Sequence, residues 1–211
     1  MATLDDLVAS LAQEATAVKP APHPFALSLR WIGAAAIYLA VALAFSGLRP
    51  DLMEQLNAPW FAAEIAALLG IFVATALSAA LLAFPDLHQK RGLALAPAWT
   101  FALFLLVLFF AAGADTPPAA LPVHSFECTL GITLMALLPA AWTFYAMRGF
   151  ASTHCRLAGS AALLSAFSAG ALWLRLHEAT DSIAHVIGWH YLPMLGIGLL
   201  GLWLGKRLLK W

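Results

Sequence analysis

Six apolar runs dominate the chain, at about 31–48, 61–84, 93–112, 125–147, 157–174 and 187–205. A helix needs about 20 such residues to cross a hydrocarbon core roughly 30 Å thick, and each run is of that order. Polar and helix-breaking residues punctuate them: Arg49-Pro50 closes the first, Phe84-Pro85-Asp86 the second, and Asp115-Thr116-Pro117-Pro118 follows the third. The runs are rich in Ala and Leu and lack the ten-residue alternation of an outer-membrane barrel. The predicted fold is therefore all-α, an integral membrane protein with six transmembrane helices in one bundle. The intervening loops leave no room for a soluble domain. Residues 1–30 form the one protruding segment, and residues 31–211 the transmembrane domain.

Composition agrees. Apolar residues make up 63% of the chain and charged residues 10%, with a mean hydropathy of +0.85. Globular domains carry about 25% charged residues, so a soluble enzyme, a nucleic-acid binder and a disordered chain are excluded. With 11 basic and 11 acidic residues, bulk attraction to a polyanion is not expected either. Two cysteines exclude a disulfide scaffold.

Six spans put both termini on one side, and Lys and Arg choose the side. Lys19, Arg30, Lys90, Arg91, Arg148, Arg156, Lys206, Arg207 and Lys210 fall on the side of the termini, and only Arg49 and Arg175 on the other. Both termini are predicted to be cytoplasmic. Asp51, Glu54, Glu64, Asp115, Glu127, Glu178 and Asp181 fall on or near the outer side. The first 20 residues lack the basic start and apolar core of a cleavable signal peptide. Small residues at Ala158, Ala162, Ala166 and Gly170, and at Gly201 and Gly205, have the spacing that allows close helix approach.

The N-terminal segment reads as a water-facing amphipathic helix. Leu4, Leu7, Val8 and Leu11 share one face. Thr3 with Asp6 resembles a capping box, and Asp5 and Asp6 suit the positive end of the helix dipole. The helix must end before Pro20-Ala-Pro-His-Pro24, a stiff tether. A helix this short barely holds alone in water, so its apolar face needs a cover. Membrane-surface helices are basic on their polar face. This one carries Asp5, Asp6 and Glu14, which favours a protein partner, with self-docking on the cytoplasmic loops as the alternative.

On the outer side, His124 and Cys128 lie four apart at the start of the fourth span, with Glu127 beside them. The next outer loop spaces His177, Asp181 and His185 at i, i+4 and i+8, with Glu178 after His177. Thiolate, imidazole and carboxylate form the ligand set of zinc, and thiolate with imidazole also suits copper. A regulatory zinc or copper ion is thus a candidate, although a lone His or Cys at a helix end is more often structural. Cys155 lies a membrane thickness from Cys128, too far for a disulfide. Glu64, near the outer end of the second span, is expected to reach the headgroup layer and pair with Arg49 or Arg175.

These residues resemble the NrsF-like membrane anti-sigma factors, six-span proteins of the bacterial inner membrane. Leu4-Asp5-Asp6-Leu7 is similar to the family's N-terminal motif, and Leu48-Arg49-Pro50-Asp51-Leu52 to its first outer loop. Phe61-x-x-Glu64 resembles the start of its second span, and His124-Ser125-x-x-Cys128 its outer cysteine motif. Leu176-His177 with Asp181-Ser182, Trp189 and Tyr191 is similar to its last loop, and Leu208-Leu209-Lys210-Trp211 to its close. The resemblance implies that residues 1–30 hold an extracytoplasmic-function sigma factor at the membrane until an outside stress releases it. The family's second outer cysteine follows the His of the last loop, and that position is Glu178 here. A site of Cys128, His124 and His177, completed by Glu178 or Asp181, is less soft than a two-thiol site.

The expected function is that of a sensor without catalysis, in which metal or oxidant at Cys128 repacks the last three spans. The rival is a small six-span transporter or channel for a metal ion or small solute. Pro97 and Pro193 open spans three and six, as an inverted repeat would have them, yet proline in a first turn costs little. No H-E-x-x-H metalloprotease helix is present, because Asp181 follows His177-Glu178 where the second histidine would stand.

Overall fold

The computed structural model describes residues 3–14, 21–85, 90–114, 125–179 and 182–210. Among these there is no strand. The elements in order are α1 (Leu4–Glu14), α2 (Pro24–Ser46), α3 (Leu52–Gln55), α4 (Pro59–Leu82), α5 (Arg91–Ala94), α6 (Ala96–Ala114), α7 (Phe126–Met147), α8 (Cys155–His177) and α9 (Ile183–His185). A π-helical turn, Val186–Tyr191, then leads into α10 (Leu192–Leu208). Among the described residues, six helices are long and apolar enough to cross a membrane: α2, α4, α6, α7, α8 and the continuous stretch Ile183–Leu208.

The first of them starts earlier than the hydropathy run suggests. Pro24 occupies the first turn of α2, and the His23 side chain accepts the Phe25 N–H at 3.3 Å. Proline is pre-organised for that position and lacks a donor the helix could not satisfy there. The end of the expected tether is thus the first turn of the span.

Helix α8 is the axis of the bundle. Of its most apolar window, 72% is buried by protein, against 17% for α2 and α6. It packs against α2, α4, α7 and α10, while α6 leans on α4. Helices that cross a membrane gain no hydrophobic free energy by leaving lipid for one another, so close backbone approach is what can hold such a bundle together. Glycines provide it where α8 meets α10: a Cβ added at Gly159 would lie 2.5 Å from the Gly201 carbonyl oxygen, and one at Gly201 2.6 Å from Ser160 Cα. Gly170 makes the same approach to α7, where a Cβ would sit 2.5 Å from the Ile132 carbonyl oxygen. Gly159→Ala should force α8 and α10 apart and cost about 1–3 kcal/mol. Thermal unfolding in detergent checks this, and an unchanged midpoint would contradict the packing.

The two ends of the bundle are tied by polar bonds. At the Cys155 end, Ser152 Oγ donates to the Leu82 carbonyl and Ser78 Oγ to the Ala94 carbonyl, each at 2.7 Å. At the Cys128 end, Arg49 N–H donates to the Leu176 carbonyl at 2.9 Å, and Trp173 Nε1 to Ser46 Oγ at 3.0 Å. The chain leaves α2 through Gly47, whose φ of +83° lies in the region that favours glycine.

Pro193 lies well inside the sixth span, because Ile183–Leu208 is continuous. Within α10 it stands in the first turn, as expected from the sequence, but α9 and the π turn precede it in the same span. The π turn immediately before it takes up the disturbance that a missing N–H would impose on a regular helix. Such turns often mark functional positions.

Candidate functional site

Two features stand out, one at the Cys128 end of the bundle and one outside it. The π turn builds the first. Residues five apart on an α-helix point about 140° away from each other, since each turn takes 3.6 residues. In a π turn, bonded i to i+5, they come back toward one face. His185 immediately precedes this turn and His190, five residues on, lies within it; their rings meet edge to face with centroids 5.1 Å apart. Thr129 on α7 fastens the turn by donating to the Trp189 carbonyl at 2.5 Å.

Cys128, in the first turn of α7, completes the group. Its Sγ lies 3.5 Å from His185 Nε2 and 3.5 Å from Glu178 Oε2. One ligand atom each from Cys128, His185 and His190 falls within 4.8 Å of the others. Both histidines are buried, at 2% and 0% exposure. His185 Nδ1 and both ring nitrogens of His190 have no hydrogen-bond partner among the described residues. Buried polar atoms are normally paired, so three such nitrogens beside a thiol call for a reason.

Of the metal ligands expected from sequence, the structure brings together Cys128, Glu178 and His185. His177 turns away: its Nδ1 pairs with the Gly47 carbonyl at 2.9 Å, and its ring stacks on Trp173. It closes the first loop over α8 and is not part of the cluster. Glu127 is exposed, one position too early on α7 to face inward. His124 and Asp181 lie outside the described residues. The residue that sequence reasoning missed is His190, because counting at the α-helical period gave it no place beside His185. The signal was Pro193 three residues on, which perturbs the helix ahead of it.

Beside the cluster lies a buried ionic network. Arg175 on α8 donates to both carboxylate oxygens of Glu64, at 2.8 and 2.9 Å, and the Tyr191 hydroxyl donates to Glu64 as well. Glu64 is 4% exposed, so it is enclosed by protein and does not reach for the headgroup layer as its position suggested. Of the two arginines considered, Arg175 is its partner. The Arg175 and Arg49 guanidiniums both lie over the Phe61 ring, 4.9 and 5.1 Å from its centroid. Arg49 in turn makes a two-pronged pair with Asp51, both bonds 2.8 Å, which draws the Asp51 carboxyl down to about 2.

The second feature is α1. Thr3 Oγ1 accepts the Asp6 N–H at 3.2 Å, and Asp6 Oδ2 accepts the Thr3 N–H at 2.9 Å. This reciprocal bonding satisfies two otherwise orphaned donors. The Thr3 bonds hold the Asp6 carboxyl below its ordinary value of 3.8. A depressed carboxylate stabilises the folded form above its ordinary range and loses that effect as pH falls through it. Helical signal from α1 should therefore fade below about pH 4, and Thr3→Ala should remove most of that pH dependence. Difference circular dichroism of the full chain with and without the substitution checks both. On the other face Leu4, Leu7, Val8 and Leu11 are 77%, 55%, 57% and 58% exposed, and no residue of α1 is buried.

A family model described as NrsF, negative regulator of sigma F, matches residues 11–211. The chain belongs to the NrsF family. An anti-sigma-F factor NrsF of Caulobacter vibrioides is 31% identical over 216 residues, covering 98% of this chain and 99% of that protein. A protein of Azospira oryzae named "Probable anti-sigma-F factor NrsF" is 28% identical over 223 residues, covering 98% and 99%. No solved structure matches the chain.

Membership of the NrsF family agrees with the resemblance carried by the loop residues, several of which the fold uses structurally. Arg49 and Asp51 pair with each other, His177 closes the Gly47 turn, and Glu64 and Tyr191 share one hydrogen bond. Glu178 keeps its side chain at the Cys128 thiol.

Proposed function

We propose that the protein is a membrane-bound anti-sigma factor of the bacterial inner membrane. Helix α1 holds an extracytoplasmic-function sigma factor against the cytoplasmic face, and a metal ion or oxidant acting at the Cys128 cluster on the outer face releases it. The observation that carries this reading is the uncovered Leu4-Leu7-Val8-Leu11 stripe on a chain whose relatives are named anti-sigma-F factors. Four apolar side chains gain about 1.5–3 kcal/mol each when buried, and Asp5 and Asp6 flank them for a partner with basic surface. A lipid occupant fits poorly, since an acidic helix is repelled by an anionic leaflet. The partner is a protein, with no direct contact to nucleic acid.

Sidedness follows from the basic residues. The two that break the rule, Arg49 and Arg175, are buried in ion pairs and add little charge to the outer loops. The Cys155 end keeps Arg91, Arg148, Arg156, Lys206, Arg207 and Lys210. Both termini and α1 accordingly face the cytoplasm.

The energies are adequate. Moving a two-state equilibrium from 1:99 to 99:1 takes about 5.5 kcal/mol. Structural zinc in small peptides supplies roughly 10–16 kcal/mol, so an incomplete site is enough. Cys155 starts α8 at the other end of the bundle, so oxidation of Cys128 has no second thiol of the same chain to capture.

Co-expression of the full chain with each extracytoplasmic-function sigma factor of its host tests the reading. One of them should co-elute with the detergent-solubilised protein in equal amounts and sediment with membranes. Failure of every candidate to do so would contradict it.

A further inference from the structure

We propose that Cys128, His185 and His190 form a binding site for a borderline divalent cation of the zinc class, with Glu178 as fourth ligand. The proposal deepens the sensing reading above but rests on its own geometry. In a tetrahedral zinc site, metal–sulfur distances near 2.3 Å and metal–nitrogen distances near 2.0 Å put neighbouring ligand atoms about 3.5 Å apart. Cys128 Sγ already stands 3.5 Å from His185 Nε2 and 3.5 Å from Glu178 Oε2. His190 lies within 4.8 Å of the other two ligand atoms, so a side-chain shift of about an ångström closes the set.

The second observation is independent of the cysteine. Both histidine rings are buried, and both nitrogens of His190 go without a hydrogen-bond partner among the described residues. An apolar or hydrogen-bonded side chain would serve packing better at a position this enclosed. An imidazole without a partner is explained if a cation is what it binds. One thiolate, two imidazoles and a carboxylate suit borderline ions such as zinc or cobalt(II), whereas thiolate-only sets favour softer ions.

Binding replaces the thiol S–H bond by a sulfur–metal bond. The released proton goes to water. Because His185 caps the π turn and His190 lies within it, the ion locks that turn in place, and Tyr191, the residue after His190, carries the constraint to Glu64 and Arg175.

The test uses untagged full-length protein in detergent, titrated with Co2+ as the spectroscopic probe. We expect one ion per chain, with tetrahedral ligand-field bands and a thiolate charge-transfer band. Cys128→Ser should abolish the charge-transfer band, and His190→Ala should weaken binding at least tenfold. His177→Ala, outside the cluster, should leave both unchanged. Size-exclusion profiles identical to wild type show that each variant is folded. Should Cys128→Ser fail to fold, Zn2+ competition against the Co2+ bands of His190→Ala replaces it, and a wild-type affinity there overturns the site. Absence of the bands, or binding that persists in the triple variant C128S/H185A/H190A, also overturns it. Sigma capture is read separately without added metal, so loss of the site and loss of the anti-sigma reading are distinguishable.

Discussion

Leu7→Asp, alone or combined with Leu11→Asp, is expected to free the sigma factor and switch on its target promoters without any inducing stress. Leu7 and Leu11 lie on the exposed stripe, and no residue of α1 is buried. Their loss should therefore leave the amount of protein in the membrane unchanged. On the partner, each leucine contributes about 1.5–3 kcal/mol of burial, and an aspartate in its place adds the cost of dehydrating a charge. A single substitution should weaken capture by about 3 kcal/mol, roughly a hundredfold. A promoter fusion read in unstressed cells, with immunoblotting of the membrane fraction, gives the answer. Uninduced expression at the wild-type level, from a variant present in normal amount, would mean that the stripe is not the grip.

Glu64→Leu should have the largest effect on the bundle itself. It leaves the Arg175 guanidinium buried without its carboxylate and removes the acceptor of the Tyr191 hydroxyl. Breaking one side of a buried pair costs about 3–5 kcal/mol, whereas replacing both sides with apolar groups of similar volume is often neutral or stabilising. The double variant Glu64→Leu/Arg175→Met should regain most of the loss. Unfolding of the three proteins in the same detergent measures this cycle. Equal stability of wild type and Glu64→Leu, or simple addition of two losses in the double variant, would contradict the role given to the pair. The network's worth is then specificity of helix register, since two apolar side chains could pack in many ways and a two-pronged ion pair in few.

Long-range order was legible in the sequence wherever it rests on one-dimensional pattern. The six spans follow from apolar length, the Thr3–Asp6 cap from spacing of three, and close helix approach from Gly201 and Gly205, though not that α8 is the helix they meet. Cys128 and Glu178, 50 residues apart, could be placed at one bundle mouth because both fall at outer ends of spans. What could not be read depends on helix phase and on depth. His190 was out of phase with His185 on an α-helix and came into phase through a π turn. Glu64 looked shallow along the chain, yet α8 covers it sideways, which a sequence does not record. His177 had the right spacing for a ligand, but the turn at Gly47 offers its nitrogen a carbonyl nearer to hand.

The central claim is that α1 is the grip and that the bundle anchors it and receives the signal. The most direct measurement is the affinity of the captured sigma factor for full-length protein in nanodiscs, compared with a chain lacking residues 3–14. We expect a tight complex with the full chain and loss of at least two orders of magnitude in affinity with the shortened one, both proteins being equally folded. Equal affinities would place the binding surface on the bundle and contradict the account.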